Sequence, residues 1–223
     1  MKKLFQHKFF WPYSRQYGIY NLNISIDFYQ EILDNEQGKL LHTFHNWGPS
    51  YGIEFDLIIY KIPDLSSGQR HANIFHFTTG YDWGEMGQQI PAAWLRLRKN
   101  LPKYAELLIS SGINDEASYD CSFYIEPKKR YHIRIKQYED KGCHYYEIEI
   151  DGLFKHLRQN SQAEKFPKVK MYASSPWYPS FSSEYGILEN FVASQDTIGS
   201  VPVPSKGEKN IILLARYSFV TKY

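Results

Sequence analysis

The chain predicts an all-β fold, a two-sheet antiparallel sandwich extended at both ends, and three features of the sequence say so. In residues 130–151 two strictly alternating runs flank a charged turn at Glu139, Asp140, Lys141 and Gly142. Tyr131, Ile133 and Ile135 share one face of the first run and Tyr146, Ile148 and Ile150 one face of the second, the period of two of half-buried strands. On the opposite face His132, Arg134 and Lys136 sit across from Glu147, Glu149 and Asp151, and opposite charges across a strand pair favour this hairpin. Secondly, short apolar runs bounded by turn residues recur along the chain, whereas helical spacing does not. Thirdly, the runs are spaced as in a sandwich rather than as alternating strands and helices.

Taken in order, Leu22, Ile24 and Ile26 alternate with polar residues in a first strand. A second begins at 40–44, after the turn signal at 34–38. Ile53, Phe55, Leu57 and Ile59 line one face of 52–60, and Pro63 closes that stretch because a central strand needs its amide donor. Residues 73–78 follow. Ala93, Leu95 and Leu97 alternate with Trp94, Arg96 and Arg98. Strands at 106–109 and 121–125 are separated by a turn read at Ser110, Ser111 and Gly112. After the hairpin, Val169 and Met171 mark one strand and 187–192 a closing one, giving about ten to twelve.

At 223 residues the chain is long enough to bury a core without metals or disulfides. The organisation read from it is an N-terminal extension at 1–20, a sandwich domain at 21–195, and a linker with an added C-terminal strand at 196–223. The linker is rich in Pro, Ser, Gly and Lys, and the apolar run 211–220 after it can pair with 4–11 or begin a truncated second unit. No targeting segment and no run long enough to span a bilayer is read, so the chain is expected to be soluble as given, either intracellular or without its leader. Cys121 and Cys143 are read as free thiols in preference to a bridge. Asn23, Ile24 and Ser25 match an N-glycosylation triplet within a strand.

A net charge of +2, with lysines and arginines spread among acids, argues against a nucleic-acid partner. The eight histidines form no zinc array, and His76, inside an apolar strand, reads as a satisfied core residue. Glu147, Glu149 and Asp151 have the same-face spacing of hydrolytic carboxylates. However, Arg134 and Lys136 opposite them should lower their pKa values, which is wrong for a general acid, so solvated ion pairs are expected and catalytic residues are not.

Trp47-Gly48-Pro49-Ser50-Tyr51, Ile53-Glu54-Phe55-Asp56-Leu57, Ile74-Phe75-His76-Phe77-Thr78-Thr79-Gly80 and Ile90-Pro91-Ala92-Ala93-Trp94-Leu95 together resemble laminin-G-like, concanavalin A-like domains. The likeness continues through Ile148-Glu149-Ile150-Asp151-Gly152 and 169–179, covers roughly 40–192, and is nearest to uncharacterised repeats in extracellular proteins of marine invertebrates. Such a resemblance implies a jelly roll that binds glycans or extracellular proteins with loops at its rim, and it implies an extracellular setting. One scaffold of this kind carries lectins, adhesion modules and glycoside hydrolases alike.

The residues supply candidate loops of their own. Residues 79–89 hold Tyr81, Asp82, Trp83 and Glu85 among three glycines, a mobile connection in which an indole can stack on a sugar while a carboxylate accepts from its hydroxyls, or in which Trp83 folds back to cap the sandwich. Trp177 and Tyr178 lie between Pro176 and Pro179 in a second, stiffer loop, a pattern that also serves as a structural corner. Asn114 and Asp115 can add polar contacts, though turn chemistry alone also explains them. Calcium is the one ion the loops suggest, with Asp82 and Asp115 as candidates beside Glu85 and Asn114, and no fixed spacing supports it. The reading is a non-catalytic carbohydrate-binding module that needs no cofactor, followed by a protein-interaction or structural module using sheet edges or rim aromatics, with a glycoside hydrolase third.

Overall fold

The computed structural model describes residues 24–26, 38–61, 71–81, 84–96, 104–178, 180–181 and 185–195. Among these the strands are β1 (Ile24–Ile26), β2 (Leu40–Trp47), β3 (Tyr51–Ile59), β4 (His71–Thr78), β5 (Ala92–Arg96), β6 (Ala105–Ile113), β7 (Glu116–Ile125), β8 (Arg130–Asp140), β9 (Cys143–Ile150), β10 (Leu153–Gln159), β11 (Phe166–Tyr172) and β12 (Gly186–Gln195). They form two six-stranded sheets, ordered β1-β12-β3-β8-β9-β10 and β2-β11-β4-β5-β6-β7. Neighbours within each sheet are antiparallel. This is the all-β jelly-roll sandwich that the alternation predicts. The extensions at 1–20 and 196–223, the run 211–220, and Pro63, Leu97 and Arg98 lie outside the described residues.

The core forms because one parity of each strand faces the other sheet. Along β3 burial alternates strictly, with Tyr51, Ile53, Phe55, Leu57 and Ile59 turned inward. Phe55 meets Phe75 edge-on at 5.3 Å between ring centroids, and Phe191 of β12 contacts Phe75 at 5.4 Å, so three rings join the sheets at their centre. Removing such a ring costs about 3–5 kcal/mol in comparable cores.

The hairpin register is the one read from its charges. Ile133 pairs with Ile150 and Ile135 with Ile148, while Arg134 pairs with Glu149 and Lys136 with Glu147. Its turn consists of Lys141 and Gly142, at φ 52° and 78°, and two positive φ values in a two-residue loop make a turn whose twist matches the strands. Asp151 and Gly152 repeat the device at φ 53° and 72°, turning β9 into β10.

Two sequence readings are corrected. Ser110, Ser111 and Gly112 are not a turn but part of β6; their hydroxyls have partners inside the fold, Ser110 Oγ donating to Asp120 Oδ1 at 2.5 Å and Ser111 Oγ lying 3.4 Å from the Tyr51 hydroxyl. The reversal comes two residues later at Asn114, whose φ of 55° suits asparagine. The second concerns β10, absent from the sequence reading. Its polarity is inverted, with Leu153, Phe154 and Leu157 exposed, while His156 packs inside against Tyr146 and Tyr119. A bulge between Phe154 and His156 further breaks the alternation.

Cys121 and Cys143 are both free thiols, as expected, and burial pushes the Cys121 thiol up to about 11. One glycine is dictated by close approach: a Cβ on Gly186 would lie 2.2 Å from the Ile58 carbonyl oxygen of the paired strand and 2.7 Å from Phe181. Gly186→Ala is therefore expected to destabilise the fold by at least about 1–3 kcal/mol, the usual penalty of overpacking. Urea unfolding followed by circular dichroism measures this, and an unshifted midpoint would contradict the β3–β12 pairing at that point.

Candidate functional site

Because Phe75 and Phe77 face the core, His76 between them must face outward from the second sheet. The same parity puts Thr78 beside Lys170, His76 beside Tyr172, Ala92 beside Ser110, and Trp94 beside Leu108 on that outer face. It is not left open to water. The segment 174–181, leaving β11, folds back across it as a strap tied to Asn73, whose Oδ1 accepts from the Ser175 amide at 2.7 Å and whose carbonyl accepts from the Phe181 amide at 2.9 Å. Ser174 and Ser180 hydroxyls meet at 3.1 Å, and Gly38 donates to Ser174 Oγ at 3.1 Å.

Between these anchors the strap lays down two rings. Tyr178 packs edge-on against Trp94 at 4.9 Å, making a small apolar cluster with Ala92 and Leu108. Trp177 meets His76 at 5.8 Å and Tyr172 at 6.4 Å, and remains 41% exposed. The corner reading thus fits Tyr178, whereas Trp177 keeps a face toward water.

The connection between β4 and β5 approaches from the other side. Thr79 donates to the Gly87 carbonyl at 2.9 Å, Thr78 Oγ1 donates to the Tyr81 carbonyl at 2.5 Å, and the Glu85 amide donates to Gln88 Oε1 at 3.2 Å. A loop read as a mobile connection is thus bonded at several points. Tyr81 is 70% exposed at its tip, and Glu85 is exposed beyond it. Asp82 and Trp83 lie outside the described residues.

His76 joins the two loops, and here the sequence reading is corrected. It is fully buried, but beneath the strap rather than between the sheets, with Trp94 and Trp177 both at 5.8 Å. Its Nε2 lies 2.6 Å from the Gln88 carbonyl. A carbonyl only accepts, so the proton sits on Nε2 and Nδ1 carries the lone pair. Among the described residues that Nδ1 meets no hydrogen-bond partner, so the imidazole is only half satisfied there. Burial holds the imidazole down at about 4, and it is neutral at physiological pH. The signal was present in the Phe75-His76-Phe77 alternation, which places a histidine opposite the core.

Asn114 and Asp115 form the β6–β7 turn at one end of the sandwich. Asn114 Oδ1 accepts from the Ser161 amide at 2.8 Å and from its hydroxyl at 2.9 Å, and Nδ2 donates to the Gln159 carbonyl at 3.3 Å, so its amide is already engaged in joining two turns. Among the described residues no three His, Cys, Asp or Glu side chains converge as metal ligands.

The outer face of the first sheet corrects the view of the glutamates. The ion pairs exist, Arg134 with Glu149 and Lys136 Nζ at 2.5 Å from Glu147, yet Glu147 is 1% exposed and Glu149 6%. They are not solvated: Arg134, Lys136 and Tyr138 engage them from β8, and Phe154 and Leu157 stand beside them on β10. The two carboxyl groups also act on one another, the contact raising Glu147 and lowering Glu149. Nor are both pKa values lowered by the cations. Burial and the Glu149 contact raise Glu147 despite Lys136 and Tyr138. For Glu149 burial also works upward, but the hydrogen bond from Glu147 and the Arg134 guanidinium outweigh it and hold that carboxyl low.

No family model matches this sequence, and no curated protein matches it. Among solved structures the chain is similar to the native heptameric SAP-like pentraxin of Limulus polyphemus, at 10% identity and a TM-score of 0.45 over 77% of this chain and 74% of that one. It is similar to the receptor-binding domain of botulinum neurotoxin D at 12% identity and a TM-score of 0.39, over 73% of this chain and 36% of that one. A chain described with endo-acting O-glycanases of human gut microbiota gives 10% identity and a TM-score of 0.34, over 70% of this chain and 59% of that one. Likenesses this distant add no functional content, and the laminin-G-like resemblance remains an expectation of the sequence motifs.

The glutamate pair gives a test in which the signs differ. A raised Glu147 pKa favours the protonated form in the fold, so its contribution is present at low pH and fades as pH rises past its ordinary 4.5. A lowered Glu149 pKa does the opposite, stabilising at neutral pH and failing as pH falls through and below 4.5. Glu147→Gln is expected to leave stability at pH 7 within about 1 kcal/mol of the parent, because Lys136 retains Glu149 at 3.4 Å. Glu149→Gln should cost about 1–3 kcal/mol at pH 7 and less at pH 3. Urea unfolding at both pH values reads the contrast, and equal losses at pH 7 would refute it.

Proposed function

We propose that the protein is a non-catalytic, lectin-like carbohydrate-binding module whose site lies on the outer face of the second sheet, where the strap and the β4–β5 connection meet. The observation that carries this reading is Trp177, a half-exposed indole on a backbone bonded at both ends to Asn73. An exposed ring on a backbone tied in this way offers a flat apolar surface to the C–H face of a sugar. Tyr81, at the tip of the facing loop, supplies a second exposed ring. Asp82, Trp83 and Glu85 extend that loop with hydroxyl acceptors and an indole, and Asn114 with Asp115 stands as an outlying polar pair. In this reading the ligand is a glycan on an extracellular partner, bound without a resident cofactor, with calcium at Asp82 and Asp115 as a separate proposal.

A protein-interaction module is the second reading, favoured by the edge strand β10, where Phe154, at 67%, and Leu157 are exposed on one face and Leu153 is exposed at the strand's start. Edge strands with apolar side chains are ready surfaces for another chain.

Glycan-array binding is expected for the parent and a loss of at least about ten-fold for Trp177→Ala, the scale of one stacking contact, with an unchanged circular dichroism spectrum. Loss of signal on chelation would add the calcium site. Capture of a protein ligand that survives Trp177→Ala but not Phe154→Lys, with a silent array, would replace this reading with the second.

A further inference from the structure

Building on the glycan reading of the strap, we propose that His76 Nδ1 is the polar anchor of the site and that the ligand is a neutral, hydroxyl-bearing pyranose inserted between His76 and Trp177. The chemistry follows from the tautomer. With its proton held on Nε2 by the Gln88 carbonyl at 2.6 Å, His76 presents a bare sp² lone pair at Nδ1, buried and without a donor among the described residues. Such an atom requires an O–H or N–H group, and leaving it unmet carries a desolvation penalty that a ligand removes. A carboxylate or sulfate brings only further lone pairs to that point. The imidazole stays neutral at physiological pH, held at about 4 by burial, so no imidazolium forms there to attract an anion.

The surroundings match the same ligand. Trp94 lies edge-on to the imidazole at 5.8 Å with an interplanar angle of 66°, and Tyr178 fixes Trp94 from the far side. Together they make a firm apolar wall for the C–H face of a ring. Trp177 is the movable member. Its ring is held by edge-on contacts to His76 and Tyr172, while the strap is held elsewhere, by the Ser175 amide on Asn73 Oδ1 and the Phe181 amide on the Asn73 carbonyl. In this proposal the Trp177 side chain rotates to admit the sugar to Nδ1, which leaves both ties intact, and the indole closes on the outer face of the sugar.

The test uses an array of neutral glucose-, galactose- and mannose-terminated oligosaccharides with sialylated and sulfated counterparts, applied to the parent, His76→Phe and His76→Gln. Neutral glycans are expected to bind in preference to anionic ones, and His76→Phe, which keeps the ring but lacks the acceptor, should bind at least about ten-fold more weakly. His76→Gln keeps a side-chain acceptor and should recover most of the loss. Tryptophan emission should shift on adding a bound neutral glycan and should shift less in Trp177→Phe, where Trp94 is the indole left at the ligand. A folded His76→Phe that binds like the parent, or a preference for anionic glycans, overturns the inference while Trp177-dependent binding keeps the broader reading. An array silent for every glycan overturns both. Should His76→Phe fail to fold, a preference for anionic glycans by the parent, or an unshifted emission on binding, overturns the inference by itself.

Discussion

The contact between the inner faces of β3 and β4 governs the rest of the molecule. Ile53, Phe55, Leu57 and Ile59 on one side and Phe75 and Phe77 on the other are fully or almost fully buried, and their rings interlock at the centre of the sandwich. Period two then leaves no freedom for the alternate positions. Phe75 and Phe77 inside mean His76 outside, and the outward array of Thr78, Lys170, Tyr172 and Trp94 follows through the ladders. A one-residue slip in β4 would put an imidazole into the core and two phenyl rings under the strap.

The two outer faces are finished by different physics. On the second sheet the strap supplies aromatic cover, so β4 is buried on both sides although it belongs to a sandwich with a nominally exposed face. On the first sheet the glutamates are flanked by their ladder neighbours instead, Arg134, Lys136 and Tyr138 from β8 and Phe154 and Leu157 from β10. Lysine and arginine stems lie across the sheet while their charged ends reach Glu147 and Glu149. Burial pushes both carboxyls upward; their mutual contact adds to the rise at Glu147, while at Glu149 that contact and the Arg134 guanidinium outweigh burial and hold the carboxyl low. The cover stabilises the sheet surface and leaves the carboxyl groups with partners of their own, unlike His76 Nδ1.

Legibility varied with the distance over which residues meet. The hairpin of β8 and β9 was readable because its partners are near in sequence and both faces carry their own signal, apolar against apolar and cation against anion. The turn at Asp151 and Gly152 was visible, yet β10 was not, since an edge strand with Phe154 and Leu157 outside and His156 inside reverses the rule by which strands are recognised. Ser110 and Ser111 looked like a turn because hydroxyl-bearing residues suit turns, and they remain in a strand because Asp120 and Tyr51 meet those hydroxyls. Trp177 and Tyr178 were found as a stiff loop by their flanking prolines, but nothing local says which sheet face that loop covers.

By itself the sequence determined most of the strands, the hairpin register and the all-β class, because alternation and turn residues act within a few positions of one another. Tertiary structure alone decided that Glu147 and Glu149 are buried rather than solvated, and that His76 lies beneath Trp177 with one nitrogen unmet. Both outcomes depend on what is brought over a residue from elsewhere in the chain. The strap is held by Asn73, 102 positions before the Ser175 amide it accepts, and no local pattern encodes a cover that arrives from that far away.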